Sequence, residues 1–189
     1  MTDTLLVDID DTIVCWSTHF RKVFRDQTGH TYSKNNPCES KAYSHICNNE
    51  LQNHIIAFNQ STHFENLKPK ANADIILPKL KSEGWTIVGI TACGRDEKTA
   101  ELRWNNLNNA FGEGLFSDVR FINWDECKSI HLKDFNNCPF VDDNIKHVET
   151  AYQMGHKAMI MHRSYRKQFY HPNIPYFKDW VDIYQEITK

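Results

Sequence analysis

The stretch LLVDIDDTIV, Leu5 to Val14, sets three carboxylates, Asp8, Asp10 and Asp11, in one short turn between two apolar runs. Like charges packed this closely repel unless a cation sits among them. Other parts of the chain carry groups that could join them. Thr91-Ala92-Cys93-Gly94-Arg95 follows a second apolar run, Asp142 and Asp143 follow another in FVDDN, and Lys128 precedes that last run. Asp8 and Asp142 offer hard oxygen ligands of the kind Mg2+ takes alongside waters and a phosphate. The charge of such an ion makes the acidic cluster tolerable. One carboxylate can then attack phosphorus and carry an aspartyl-phosphate. A second, two residues on, can protonate the leaving oxygen and later activate water. The Thr91 hydroxyl, backbone N–H groups such as that of Ala92, and the Lys128 ammonium would hold the phosphate oxygens as charge shifts. Taken singly, each feature has a plain structural use. The D-x-D turn can cap a helix through Asp11 or Thr12, FVDDN can do the same, and Lys128 can be a solvated surface lysine. Their order, each group tied to its own apolar run, favours chemistry.

The elements that must position these groups are legible in the same pattern. Leu5–Val7, Thr86–Ile90, Pro139–Val141 and Ala158–Met161 are short β-branched or apolar runs, with a weaker fifth at Val119–Ile122. Helix-like segments at Glu97–Ala110, Glu126–Lys133 and Ile145–Met154 alternate with the later runs. Strands alternating with helices imply an α/β fold, a mainly parallel sheet with helices on both faces. In such sheets ligands bind beyond the carboxyl ends of the strands, where these groups fall. Pro78, inside the otherwise helical Asn72–Ser82, predicts a kink or a late helix start. The segment from Trp16 to Asn66 breaks the alternation; it is too long for a simple crossover and carries helix-like pieces at Ser17–Gln27 and Glu50–Phe58. It is expected to be a helical insertion over the sheet's carboxyl edge.

Composition bounds the rest. The 189 residues are 40% hydrophobic and 12% aromatic, which is enough to bury a core and argues against disorder. A net charge of −2 provides no global basic field for nucleic acid. Apolar runs are too short to span a bilayer and no secretory leader pattern is present, so a cytoplasmic protein without membrane contact is expected. The six cysteines form no C-x-x-C pair, and no disulfide framework is expected. Cys38, His45, Cys47 and His54 lie close along the chain, but their spacing matches no common structural zinc site.

The four groups together resemble the motifs of the haloacid dehalogenase (HAD) superfamily. LLVDIDDTIV is similar to its first motif, D-x-D-x-T after an apolar strand; ITACG to the second; Lys128 to the third; FVDDN to the acidic fourth. The resemblance runs from Leu5 to about Met161. It implies a Rossmann-like core (residues 1–15 and 67–189), a small helical type-one cap (16–66), Mg2+ dependence and phosphatase activity on a small phosphorylated substrate. By position, Asp8 would be the nucleophile and Asp10 the general acid/base. Asp8, the Asp10 carbonyl and Asp142 would be the metal ligands, with Asp143 acting through the metal's waters or by orienting Lys128. Thr91, Ala92 and Lys128 would bind phosphate, and Asp11 has no catalytic role. FENLKPKANADIILPKL, DECKSIHLKDFNNCPFVDDN and KDWVDIYQEI further resemble stretches of 5′(3′)-deoxyribonucleotidases and related bacterial nucleotidases, which implies a nucleotide substrate. In that branch cap aromatics stack on base or sugar. The candidates are Trp16, Phe20, Phe24, Tyr43, Phe58 and Phe64, with Trp16 and Phe20 nearest the nucleophile.

Two rival readings remain. TACGRDEKTAELRWNNL also resembles a segment of polynucleotide 3′-phosphatases, but these need a basic groove. The local candidate, Lys157, His162, Arg163, Arg166 and Lys167, is better explained as a solvated basic face. A receiver-like or catalytically silent phosphate-binding relative would also use Mg2+ with acids, a hydroxyl and a lysine. Receivers, however, place the acidic pair and the phosphoacceptor in the reverse order and lack a cap.

Overall fold

The computed structural model describes residues 3–30, 46–162 and 171–189. Cys38, Tyr43, His45, Arg163, Arg166 and Lys167 lie outside them. Six strands, β1 (Thr4–Val7), β2 (Thr86–Thr91), β3 (Asp118–Phe121), β4 (Pro139–Asp142), β5 (Lys157–Met161) and β6 (Tyr176–Phe177), form one sheet in the order β3-β2-β1-β4-β5-β6. Every neighbouring pair is parallel. The two halves diverge on either side of β1 and β4, and at that switch point a crevice opens beyond the strand ends.

Both faces of the sheet are covered. Leu5 and Val7 point into one apolar cluster and Leu6 into a second, and all three are fully buried. The same alternation runs through β2, where Ile87 joins the first cluster and Val88 and Ile90 the second. Unbroken apolar runs are what a parallel strand buried on both faces requires. Gly89 stands where β2 passes closest to the turn after β1: a Cβ there would meet Ile9 Cδ1 at 3.1 Å.

Between β1 and β2 the chain forms α1 (Trp16–Thr28), α2 (Asn48–Asn59), the short α3 (Thr62–Glu65) and α4 (Ala73–Ser82). After β2 come α5 (Glu97–Phe111), the single turn α6 (Ser129–Leu132), α7 (Ile145–Gln153) and α8 (Trp180–Ile187). The helix expected over Glu126–Lys133 is therefore reduced to four residues. Glu126 is spent instead on the turn before it, where its carboxylate accepts from the Asn123 N–H at 2.6 Å. Helix α4 starts at Ala73 and runs on through Pro78, so the late start does not occur. The proline there forgoes one backbone hydrogen bond.

No helix of the described residues is long and apolar enough to cross a membrane.

Candidate active site

The strand ends bring the acidic groups together. Asp8 follows β1 directly, and its N–H donates to the Val141 carbonyl at 2.8 Å, fixing it beside β4. The chain then turns tightly about the Ile9 carbonyl, which accepts from Thr12, Ile13 and Val14. Asp11 sits in that turn at φ 59°, a left-handed conformation that short polar residues tolerate. Its carboxylate accepts from the Ser17 N–H at 2.9 Å in the first turn of α1, and its carbonyl accepts from Lys70. Asp11 thus secures the loop. Asp142 closes β4, and its Oδ1 accepts from the Asn144 N–H at 2.7 Å, with Asn144 in turn capping α7.

Carboxylate oxygens of Asp8, Asp142 and Asp143 all lie within 4.8 Å of one another, and all three residues are buried. Lys128, 1% exposed at the start of α6, donates to Asp142 Oδ2 at 2.7 Å and to Asp8 Oδ1. The Thr12 hydroxyl donates to the other Asp8 oxygen at 2.8 Å. Burial raises the Asp8 carboxyl above its ordinary range, Lys128 pulls it back, and Asp142 adds to the rise. Burial works against the Lys128 charge as well, but Asp142 and Asp8 outweigh it and hold the ammonium above the usual lysine range. Lys128 is shared by Asp8 and Asp142, and Asp143 brings a third buried carboxylate to the cluster. The donors are all hard oxygens. This set fits a Mg2+ ion.

Asp10 faces the same cleft but has its own cation. Its Oδ1 accepts from Arg103 of α5, whose side chain is wholly buried. Burial pushes the Asp10 carboxyl up to about 6, although Arg103 opposes the rise. Thr91, the last residue of β2, is fully buried, and its Oγ1 has no regular hydrogen-bond partner; the Cys93 thiol is the polar group beside it. Such an orphaned hydroxyl is suited to a phosphate oxygen.

A cleft of about 250 Å3 is lined by Asp8, Asp10, Trp16, Ala92, Lys128 and Asp142, among others. Of the residues placed at the chemical centre by sequence, Asp8, Asp10, Ala92, Lys128, Asp142 and Asp143 line this cleft, and the fully buried Thr91 does not. Of the candidate aromatics among the described residues, only Trp16 lines it. Phe20 is 2% exposed and stacks beneath the Trp16 indole at 4.8 Å; with Phe24, Phe58 and Phe64 it builds the core under α1 and α2. Helical spacing placed these rings inward. Lys157 pairs with Glu186, so one member of the basic group is already engaged.

Sequence reasoning missed four residues here. Arg103 interrupts the buried face Thr99-Arg103-Asn106-Leu107 of α5, and a cation on an otherwise inward stripe was the available signal. Asn59 ties α1 and α2 to the loop after β2, accepting from Trp16 Nε1 at 2.9 Å and donating to the Cys93 carbonyl at 3.1 Å. Trp124, 67% exposed, and His147 also line the cleft. A loop tryptophan carries no periodicity that would reveal it.

No family model matches the chain, and no curated protein matches it in sequence. Solved structures do match in shape. A haloacid dehalogenase-like hydrolase from Streptococcus pneumoniae is 12% identical over 98% of both chains with a TM-score of 0.69. CbbY from Rhodobacter sphaeroides, solved with phosphate, is 10% identical over 97% of this chain and 96% of that one, TM-score 0.68. The HAD-hydrolase YfnB from Bacillus subtilis, bound to magnesium, is 10% identical over 100% and 99%, TM-score 0.68. The chain therefore has the α/β, Rossmann-like fold of HAD-type hydrolases.

Proposed function

We propose that this chain is a Mg2+-dependent phosphomonoesterase that hydrolyses a nucleotide through an aspartyl-phosphate on Asp8, in the cytoplasm. The observation that carries the reading is the loop after β1. It holds Asp8 against Lys128 and Asp142, and two residues on it presents Asp10 to the same cleft, paired with a different cation. Asp8, the Asp10 carbonyl and Asp142 would hold Mg2+, with Asp143 acting through its waters, and the ion would neutralise phosphate charge and orient it.

An Asp8 carboxylate oxygen attacks phosphorus as the ester P–O bond breaks, and Asp10 gives its proton to the departing oxygen. Asp10, now a carboxylate, takes a proton from water as that water attacks phosphorus and the P–O bond to Asp8 breaks. Lys128 and the Ala92 N–H stabilise the phosphate oxygens through both steps. Residues 16–66 act as a cap that supplies the leaving-group side of the pocket.

A nucleotide is favoured by the walls of the cleft. Trp16, Ile55 and Trp124 line it, and a second cleft of about 280 Å3 shares Ile55 and Trp124 and adds Arg95, Asp96 and Asn123. Indole faces flanked by hydrogen-bonding side chains suit a flat, polar-edged base. The five cysteines of the described residues are all free, as a reducing compartment allows.

The test is phosphate release from nucleoside 5′- and 3′-monophosphates, sugar phosphates and 3′-phosphorylated oligonucleotides, with and without Mg2+. Asp8→Asn and Asp10→Asn are expected to abolish Mg2+-dependent release. Wild-type rates in both variants would refute the phosphatase. Preference for sugar phosphates or for oligonucleotide ends would refute the nucleotide.

A further inference from the structure

We infer that Arg103 is a positioning residue for Asp10, fixing the carboxylate so that its free oxygen meets the leaving group; the inference rests on the phosphomonoesterase reading above. The guanidinium is wholly buried, and the carboxylate it pairs with is Asp10. A buried charge is tolerated only when paired and held in good geometry. Arg103 is held on three sides. Its guanidinium lies over the Phe64 ring, 4.0 Å from the centroid; Nη1 donates to Asn106 Oδ1 at 3.1 Å; and Nη2 donates to Asp10 Oδ1. Asn106 is itself anchored, donating to the Leu67 carbonyl at 3.0 Å. Helix α5 starts at a fixed point, because Asp96 caps it by accepting from the Thr99 N–H at 2.9 Å, and Arg103 follows one turn after Thr99 on the same buried face.

The consequence is a division of labour between the two cations. Lys128 engages Asp8 and Asp142, whereas Arg103 engages Asp10 alone among the described carboxylates. Asp10 keeps 22% of its side chain exposed and lines the cleft, so Oδ2 is left to the substrate while Oδ1 is fixed. Without Arg103 the carboxylate would be free to turn toward the metal-binding acids and Lys128. Phe64 belongs to the insertion-side helix α3, so this clamp also joins the proton carrier to the base of the insertion.

The experiment compares kcat/KM for p-nitrophenyl phosphate, whose leaving group departs without a proton, with that for uridine 5′-monophosphate and glycerol 2-phosphate, whose alkoxides need one. This parameter covers the steps up to transfer onto Asp8. In Arg103→Met the aryl-to-alkyl ratio is expected to rise on the order of 10²-fold, the lower range for a lost general acid. Arg103→Lys, which keeps the charge, should recover part of the alkyl activity. In an Asp10→Asn background, Arg103→Met should leave the ratio where Asp10→Asn put it. Circular dichroism melts confirm that each variant is folded.

Equal loss on aryl and alkyl esters in both arginine variants would overturn the proposal, because a merely structural role lowers all substrates together. A folded wild type that cleaves only the aryl ester would overturn it too. A wild type inactive on all three esters would remove the phosphomonoesterase reading and this role with it.

Discussion

Two buried cations take one acid each of the first turn, Lys128 pairing with Asp8 and Arg103 with Asp10. Lys128→Ala is expected to lower turnover on the order of 10²-fold or more, as for loss of one preorganised electrostatic donor. Lys133→Ala, exposed on the surface, should have little effect. Breaking a buried pair also costs about 3–5 kcal/mol, so metal-free Lys128→Ala should melt at least several degrees lower. Asp10 gives a pH signature. Its carboxyl is raised from 3.8 to about 6, so the folded protein binds that proton more tightly than the unfolded chain does. Its contribution to stability is therefore largest below 3.8 and is lost as pH rises through about 6. Denaturant unfolding of metal-free protein between pH 4 and 7 should show a fall that Asp10→Asn flattens by about 2–3 kcal/mol, reduced to the extent that water screens the group. The acids were legible in the sequence because each adjoins an apolar run, and Lys128 through its spacing before the FVDDN strand. Arg103 was not, because a cation on a helix's inner face is recognised only once the Asp10 carboxylate opposite it is known.

Among the elements, the helices between β1 and β2 matter through how they are tied to the sheet. Asn59, at the end of α2, bonds Trp16 of α1 and the Cys93 carbonyl beyond β2. Asn59→Ala should cost about 1–3 kcal/mol, from two half-buried bonds left unmade. It should raise KM more than it lowers kcat, since the Trp16 it holds lines the cleft and donates its indole N–H to Asn59 rather than to Asp8 or Asp10; melts and steady-state kinetics check both. Element positions were largely legible: α5 and α7 begin at residues 97 and 145, where the helix-like segments were expected, and the structure caps them with Asp96 and Asn144. The two-residue β6 was not, because its pairing to β5 comes from tertiary contact and leaves almost no pattern of its own. Nor was the shortening of α6, decided by a side-chain turn at Asn123 and Glu126.

For the whole molecule, the proposed Mg2+ site implies that stability rises with the ion. An ion that binds only the folded form stabilises by mass action, about 2.7 kcal/mol at a hundredfold excess over Kd. Thermal melts should rise with added Mg2+ in wild type, and Asp142→Asn should abolish the rise. The sheet order that creates the crevice joins residues far apart in sequence, and the furthest link is at α8. Trp180, fully buried, donates its indole N–H to the Thr12 carbonyl at 3.1 Å, while the Thr12 hydroxyl holds Asp8. On a growing polypeptide every proposed catalytic group is synthesised before Trp180. The Asp8 loop thus completes its hydrogen bonding only after α8 has docked, and a nascent chain halted short of that tryptophan would carry the clustered acids without the clasp that sets their loop.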